Sequence, residues 1–322
     1  MELPLRVLDG MSGVRRDCAE IERGSAVIVL RRISAGVLVL CALAGCSPSA
    51  EPPVAEPKPA GQHQRAEAAF AALEQRFGAR LGVHAVDTAT GREVAHRADE
   101  RWAYASTHKV FSAAAVLRRT DDLDRRITYT AADLQEHSPV TGRHVGTGMA
   151  LRDVLVAAVR DSDNTAANLL FRELGGPAGL QAQLRAMGDA TTRSDRVETA
   201  LGETAPGDVR DTTTPRAFTA DLRAVALGGA LSPQDRDFLL AAMADSPITR
   251  GLVRAGAPAD WRVADKSGNA DFGTRNDIAV VRPPGRAPIV LSIMTDRPGR
   301  DATYDDALVA EAARVAFREF GG

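Results

Sequence analysis

The chain has 322 residues, 44% of them apolar and 25% charged, and a formal net charge of −2. That length allows one large or two medium domains, and the composition is ordinary for a globular protein. With no positive balance and no basic stripe interleaved with aromatics, a general nucleic-acid binder is excluded.

In chain order, residues 1–45 read as an export signal: Arg31-Arg32 precede an apolar run over 33–44 that ends in small residues and is too short to span a bilayer well. Residues before about 25 fit such a signal poorly, which is compatible with a misassigned start. Leu43-Ala44-Gly45-Cys46 resembles a bacterial lipobox, so the exported protein is expected either to carry a lipid on Cys46 and sit on the membrane or to be secreted. Residues 46–62, rich in Pro, Ala and Glu, read as a disordered tether. The three cysteines, Cys18, Cys41 and Cys46, all precede the folded part, and the six histidines show no ligand spacing, so no disulfide, thiol nucleophile, metal or cofactor is expected there.

The body begins near residue 63. Periodicity predicts a helix over 66–77, strands over 80–86 and 93–98, then helices over 110–118, 151–160, 165–174, 179–187, 215–227 and 233–244. Strands return over 261–266, 277–281 and 288–295, and a last helix covers 304–320. Strands at both ends around a helical middle imply an α+β fold: an antiparallel sheet flanked by terminal helices, with an inserted all-helical domain. The expected lobes are 63–105 with 245–322, and 106–244. Their seam is a natural place for a pocket.

Positive charge is carried by 37 arginines and only three lysines, Lys58, Lys109 and Lys266. Lys58 lies in the tether, whereas the other two fall in motifs. A lysine kept where arginine is otherwise used suggests a task for a compact amine that can exchange a proton. Ser106 and Lys109, in Ser106-Thr107-His108-Lys109, are three apart at a predicted helix start and share one face. Residues 110–117 are apolar on nearly all sides, which marks a buried helix. A serine there has free backbone N–H groups and the positive dipole end beside it, suited to an oxyanion, although a plain N-cap serine has the same pattern. Two more motifs follow: Ser162-Asp163-Asn164 between helices, and Lys266-Ser267-Gly268, expected to close a strand. A stretch from Arg196-Val197-Glu198 to Asp211-Thr212-Thr213-Thr214-Pro215 completes the set.

With these motifs in this order, the chain from 63 to 322 resembles the penicillin-recognising serine enzymes, specifically the class A β-lactamases. The glutamate-bearing loop looks like that family's Ω-loop and sets it apart from the cell-wall transpeptidases. The resemblance implies a β-lactam substrate, a monomer and hydrolysis through a serine acyl-enzyme. Ser106 is then the nucleophile, with its own N–H and that of Asn269 as the oxyanion hole. Ser162 relays a proton to the departing nitrogen, and Asn164 binds the substrate amide and orients Lys109. Lys266, Ser267, Gly268 and Arg275 hold the substrate; Asp163 is structural. Glu198 activates the deacylating water, and Arg196 pairs with Asp211, substantially buried, to brace the loop. For Lys109 to act as base its pKa must fall from ~10.4 to near 7–8, roughly 4 kcal/mol. Lys266 would lower it and ionised Glu198 would raise it, so the pair titrates together and Glu198 acting through water is the favoured base.

Four departures stand out. Gly202 replaces an Asn that many members use to hold the water. His137 stands where an aromatic wall is common. Ala105 and Ala270 occupy the positions of a disulfide found in several carbapenem-hydrolysing relatives. His108 replaces a Phe and is expected to pack beneath its helix. Two other readings use the same core: a D-alanyl-D-alanine peptidase or transpeptidase, and a tethered sensor that stays acylated.

Overall fold

The computed structural model describes residues 60–322. The export signal, Cys46, Lys58 and most of the tether lie outside the described residues. Helix α1 (Ala60–Phe77) starts a few residues before the expected end of that tether. Its buried stripe, Ala66, Phe70 and Leu73, steps by four and three and so lies on one helix face. Strand β1 (Arg80–Asp87) turns into β2 (Glu93–His96) through Asp87, whose carboxylate accepts the N–H groups of Ala89 and Thr90.

The remaining long strands come from the other end of the chain: β7 (Arg262–Ala270), β8 (Thr274–Arg282) and β9 (Ile289–Asp296). Sheet order is β2-β1-β9-β8-β7, antiparallel throughout. The register of β1 on β9, from Arg80 opposite Asp296 to Asp87 opposite Ile289, joins the two ends of the chain. Alternation along β8 and β9 divides the side chains between two faces. Ala279, Val281, Leu291 and Ile293 meet α1 and the last helix α9 (Asp306–Glu319). Ile278, Val280, Val290 and Met294 face the helical middle.

Between the two ends, β3 (Trp102–Ala103) leads into α2 (His108–Leu117), and β4 (Arg126–Ile127) and β5 (Met149–Ala150) precede α3 (Leu151–Arg160). Then come α4 (Asn164–Leu174), α5 (Pro177–Ala186), β6 (Thr212–Thr213), α6 (Pro215–Ala226), α7 (Pro233–Ala244) and the four-residue α8 (Val253–Gly256). Starts follow local chemistry. Asp163, Thr214 and Ser232 cap α4, α6 and α7, and proline opens α5, α6 and α7. All ten residues of α2 are buried, as its uninterrupted apolar run predicts. The two-residue pairings β3–β6 and β4–β5, and α8, are too short to leave a periodic trace in sequence. Among the described residues no helix is long and apolar enough to cross a membrane.

Candidate active site

Ser106 sits in a single 3₁₀ turn, Ala105–Thr107, immediately before α2. The turn is clamped from several sides. Thr107 Oγ1 donates to the Tyr104 carbonyl at 2.6 Å, and Asn276 Nδ2 on β8 donates to the carbonyls of Ala103 and Tyr104. On β7, Gly268 approaches so closely that a Cβ there would lie 3.0 Å from the backbone N of Ser106. Ala105 and Ser162 both hold left-handed backbone, at φ 48° and 57°, a conformation that non-glycine residues keep only where surroundings impose it.

The second residue of α2, Lys109, lies one turn beyond Ser106, projects into the interior and is fully buried. Its Nζ donates to Asn164 Oδ1 at 2.6 Å and to the Ser162 carbonyl at 2.9 Å, and stands 3.4 Å from Ser162 Oγ. The same ammonium lies 3.0 Å from Glu198 Oε1. Ser162 and Asn164 reach it because the break between α3 and α4 is held by Asp163. That buried carboxylate accepts the N–H groups of Val140, Thr141 and Ala166 and the Thr141 hydroxyl.

Lys266 enters from the sheet side. The strand expected to close at Gly268 runs on to Ala270, so Lys266, Ser267, Gly268 and Asn269 are strand residues facing the α2 turn. Lys266 Nζ donates to Ser162 Oγ at 3.0 Å and to the Ser267 carbonyl at 2.6 Å. Ser162 Oγ thus lies within reach of both amines.

Glu198 closes the arrangement. Its Oε1 accepts from Ser106 Oγ at 3.1 Å. Asn168, one turn beyond Asn164 on α4, brackets its backbone: Nδ2 donates to the Glu198 carbonyl at 2.6 Å, and Oδ1 accepts the Glu198 N–H at 2.9 Å. The loop behind is braced by Arg196 and Asp211, 2.6 Å apart, with the Asp211 side chain fully buried. Asp211 also accepts from the N–H groups of Asp195 and Arg196 and from the Tyr104 hydroxyl, so its carboxylate is buried and saturated while the Arg196 side chain is half-buried.

Burial opposes ionisation of Glu198, but the adjacent Lys109 ammonium and the His108 hydrogen bond outweigh it and hold the carboxyl well below the usual range. Burial lowers the Lys109 pKa, and Glu198 resists that shift. Burial, reinforced by Lys109, takes Lys266 well below the ordinary lysine value. At neutral pH, Glu198 is therefore an anion.

These groups open on a cleft of about 870 Å³ whose lining includes Ser106, Ser162, Asn164, Glu198, Asn269 and Arg275. Ser267, His137 and Gly202 also line it, whereas Gly268 supports the serine turn from behind. Arg275 is tied down by Asp306, with Nε 2.7 Å from Oδ1, and its guanidinium lies 4.7 Å from the Tyr304 ring centre. Sequence reasoning did not single out Asn168, Asp306 or Tyr304. For Asn168 a signal existed, since i and i+4 from Asn164 share a helix face. Asp306 begins α9 and reads simply as a favourable helix-start acid. His108 is buried, as expected, but it also hydrogen-bonds Glu198, which burial alone does not require.

A hydroxyl donating to an ionised carboxylate, two buried amines around a second hydroxyl, and cationic groups along an open cleft can support nucleophilic attack on an anionic acyl substrate. Comparison with known proteins agrees. Residues 65–320 match the family described as "Beta-lactamase enzyme family". A β-lactamase of Bacillus amyloliquefaciens is 51% identical over 249 residues, which is 77% of this chain and 81% of the relative. One from Amycolatopsis lactamdurans is 50% identical over 272 residues, 84% of this chain and 88% of the relative. Among solved structures, the class A β-lactamase of Clostridium kluyveri superposes with a TM-score of 0.79 at 42% identity, over 80% of this chain and all of that one. That of Mycobacterium abscessus gives 0.77 at 42%, again over 80% of this chain and all of that one. With the motifs, the fold and these relatives in agreement, the chain belongs to the class A serine β-lactamases and is a β-lactam hydrolase.

Proposed function

We propose that hydrolysis proceeds through a serine acyl-enzyme that Glu198 resolves. The observation that carries this reading is the shared position of Glu198 Oε1, 3.1 Å from Ser106 Oγ and 3.0 Å from Lys109 Nζ. Ser106 Oγ attacks the lactam carbonyl while its proton passes to Glu198 Oε1, which already accepts it in a hydrogen bond. The backbone N–H groups of Ser106 and Asn269 hold the developing oxyanion; one such donor is worth ~10²–10³ in rate. The C–N bond breaks as Ser162 gives its proton to the ring nitrogen and is reprotonated from Lys109, which in turn takes the proton held by Glu198 and leaves that carboxylate ionised again. A water then loses its proton to Glu198 and attacks the ester, and Ser106 leaves with a proton. Lys266, Ser267 and Arg275 bind the substrate carboxylate, and Asn164 its amide.

The wild-type protein is expected to turn over a chromogenic cephalosporin continuously. Ser106→Ala should form no covalent adduct by intact-protein mass spectrometry, and an adduct in that variant sinks the nucleophile assignment. A burst of one equivalent without turnover would favour the peptidase or the sensor, and release of D-alanine from a D-Ala-D-Ala peptide would then single out the peptidase.

The pH profile follows from the same charges. Because Glu198 ionises below its ordinary value of 4.5, the acid limb of deacylation should lie below that pH. A depressed carboxyl contributes stability above its unfolded pKa, and that contribution is lost as pH falls through the folded value. Lys109 and Lys266 are lowered from 10.5, so an alkaline limb should fall below that value and appear partly as a rise in KM when Lys266 loses its charge. An acid limb at or above neutral pH in stopped-flow deacylation would contradict the ionised resting Glu198.

The proposal includes export with a lipid on Cys46, supported by Leu43-Ala44-Gly45-Cys46, and a monomeric body.

A further inference from the structure

His108 lies on α2 between the nucleophile turn and Lys109 and is fully buried. Its ring stacks on Phe171, with centroids 5.0 Å apart and planes at 15°, and is tilted against Tyr104 at 5.6 Å. Both nitrogens are engaged. Nδ1 is 3.0 Å from Ser112 Oγ, one turn along the helix, and Nε2 is 3.3 Å from Glu198 Oε1. A ring held only by packing needs neither contact. An ionised carboxylate only accepts, so the Nε2 side must carry the proton, and Nδ1 then accepts a hydrogen bond from the Ser112 hydroxyl.

We infer that His108 is a positioning residue for the deacylating base: its Nε2–H, held in that tautomer by Ser112, fixes Glu198 Oε1 and leaves Oε2 to receive the proton of the attacking water. This rests on the reading of Glu198 as that base. Oε1 receives three donors, from Ser106, Lys109 and His108, all from α2 and the turn before it. On the cleft side Gly202 brings no side chain to the carboxylate, although an added Cβ would find only Ala270 Cβ, at 3.9 Å. The carboxylate is therefore oriented from beneath. Burial lowers the His108 pKa against the opposing pull of Glu198, which keeps the ring neutral and able to act as a one-sided donor.

The tautomer is directly readable. Long-range ¹H–¹⁵N NMR of the wild-type imidazoles should show a neutral His108 with its proton on Nε2, and this signal should move in Glu198→Gln. A proton on Nδ1 overturns the assignment, whatever the variants do. In single-turnover experiments, His108→Phe keeps the stacked ring but removes the donor, and should slow deacylation about tenfold, with acylation slowed less because Lys109 still holds Oε1, as expected for a lost hydrogen bond to a charged, orienting group. His108→Gln, which can return an N–H to the same oxygen, should recover most of that loss. Wild-type deacylation in His108→Phe overturns the inference. Glu198→Ala separates the two readings. If it blocks deacylation while His108→Phe does not, only the His108 assignment fails; if it deacylates normally, the base assignment fails and this one with it.

Discussion

Glu198→Ala, mixed with a chromogenic cephalosporin, is expected to release one equivalent of product colour and then stall. Mass spectrometry should find the protein carrying the opened substrate on Ser106, with deacylation slowed by about 10²–10⁴, the usual worth of a positioned general base. The effect falls on deacylation because of what surrounds the carboxylate. Removing Glu198 also removes the anion that resists the lowering of the Lys109 pKa, so burial drives that amine further towards its neutral form. A neutral Lys109, which in the wild type shares Glu198 Oε1 with the Ser106 hydroxyl, can then take the Ser106 proton in the first step. No second carboxylate is hydrogen-bonded to Ser106 Oγ among the described residues, so the ester persists. Steady-state turnover at the wild-type rate would sink the base assignment.

Asp211→Asn should give the largest loss of stability. The carboxylate is fully buried and accepts four hydrogen bonds: from Tyr104, the N–H groups of Asp195 and Arg196, and the Arg196 guanidinium. An amide of the same size presents only one accepting oxygen and sets its N–H₂ against donors. Arg196 keeps the Glu203 carbonyl, and its Nη2 is already buried without a partner. Breaking one side of a buried pair costs about 3–5 kcal/mol. At roughly 2–4 °C per kcal/mol for a body of this size, the melting temperature should drop by about 6–20 °C. Because Glu198 lies two residues from Arg196, deacylation should slow as well. A change in melting temperature under about 2 °C by calorimetry would show that the pair does not brace the loop.

Much of the fold was readable because its signals are local. The helix and strand periods, the capping residues Asp163, Thr214 and Ser232, and the prolines that open helices act over four or five positions. The interruption Ser162-Asp163-Asn164 was visible for the same reason, as were the two motif lysines against a background of arginine. The strand expected over 261–266, with its motif as the end, runs on to Ala270 as β7, because cross-strand pairing leaves no local trace. Pairing of Gly268 with Asn276 and of Asn269 with Arg275 keeps the strand extended, and the missing glycine side chain is what lets it approach Ser106. Asp306 was passed over because its partner, Arg275, is 31 positions away and its local role as a helix-start acid was sufficient by itself.

The amino-acid sequence alone thus determined the types of the long elements, the order of the motifs and the residue types available for chemistry, because each is written within a few consecutive positions. Tertiary structure decided which atoms meet. Ser106 and Glu198 are 92 positions apart, Lys266 and Ser162 are 104, and His108 and Glu198 are 90. Their hydrogen bonds, and the charge states that follow from burial beside one another, exist only once β1 has paired with β9 and α2 has been enclosed. Desolvation and Coulomb interaction depend on distance through space, and no local pattern encodes that distance.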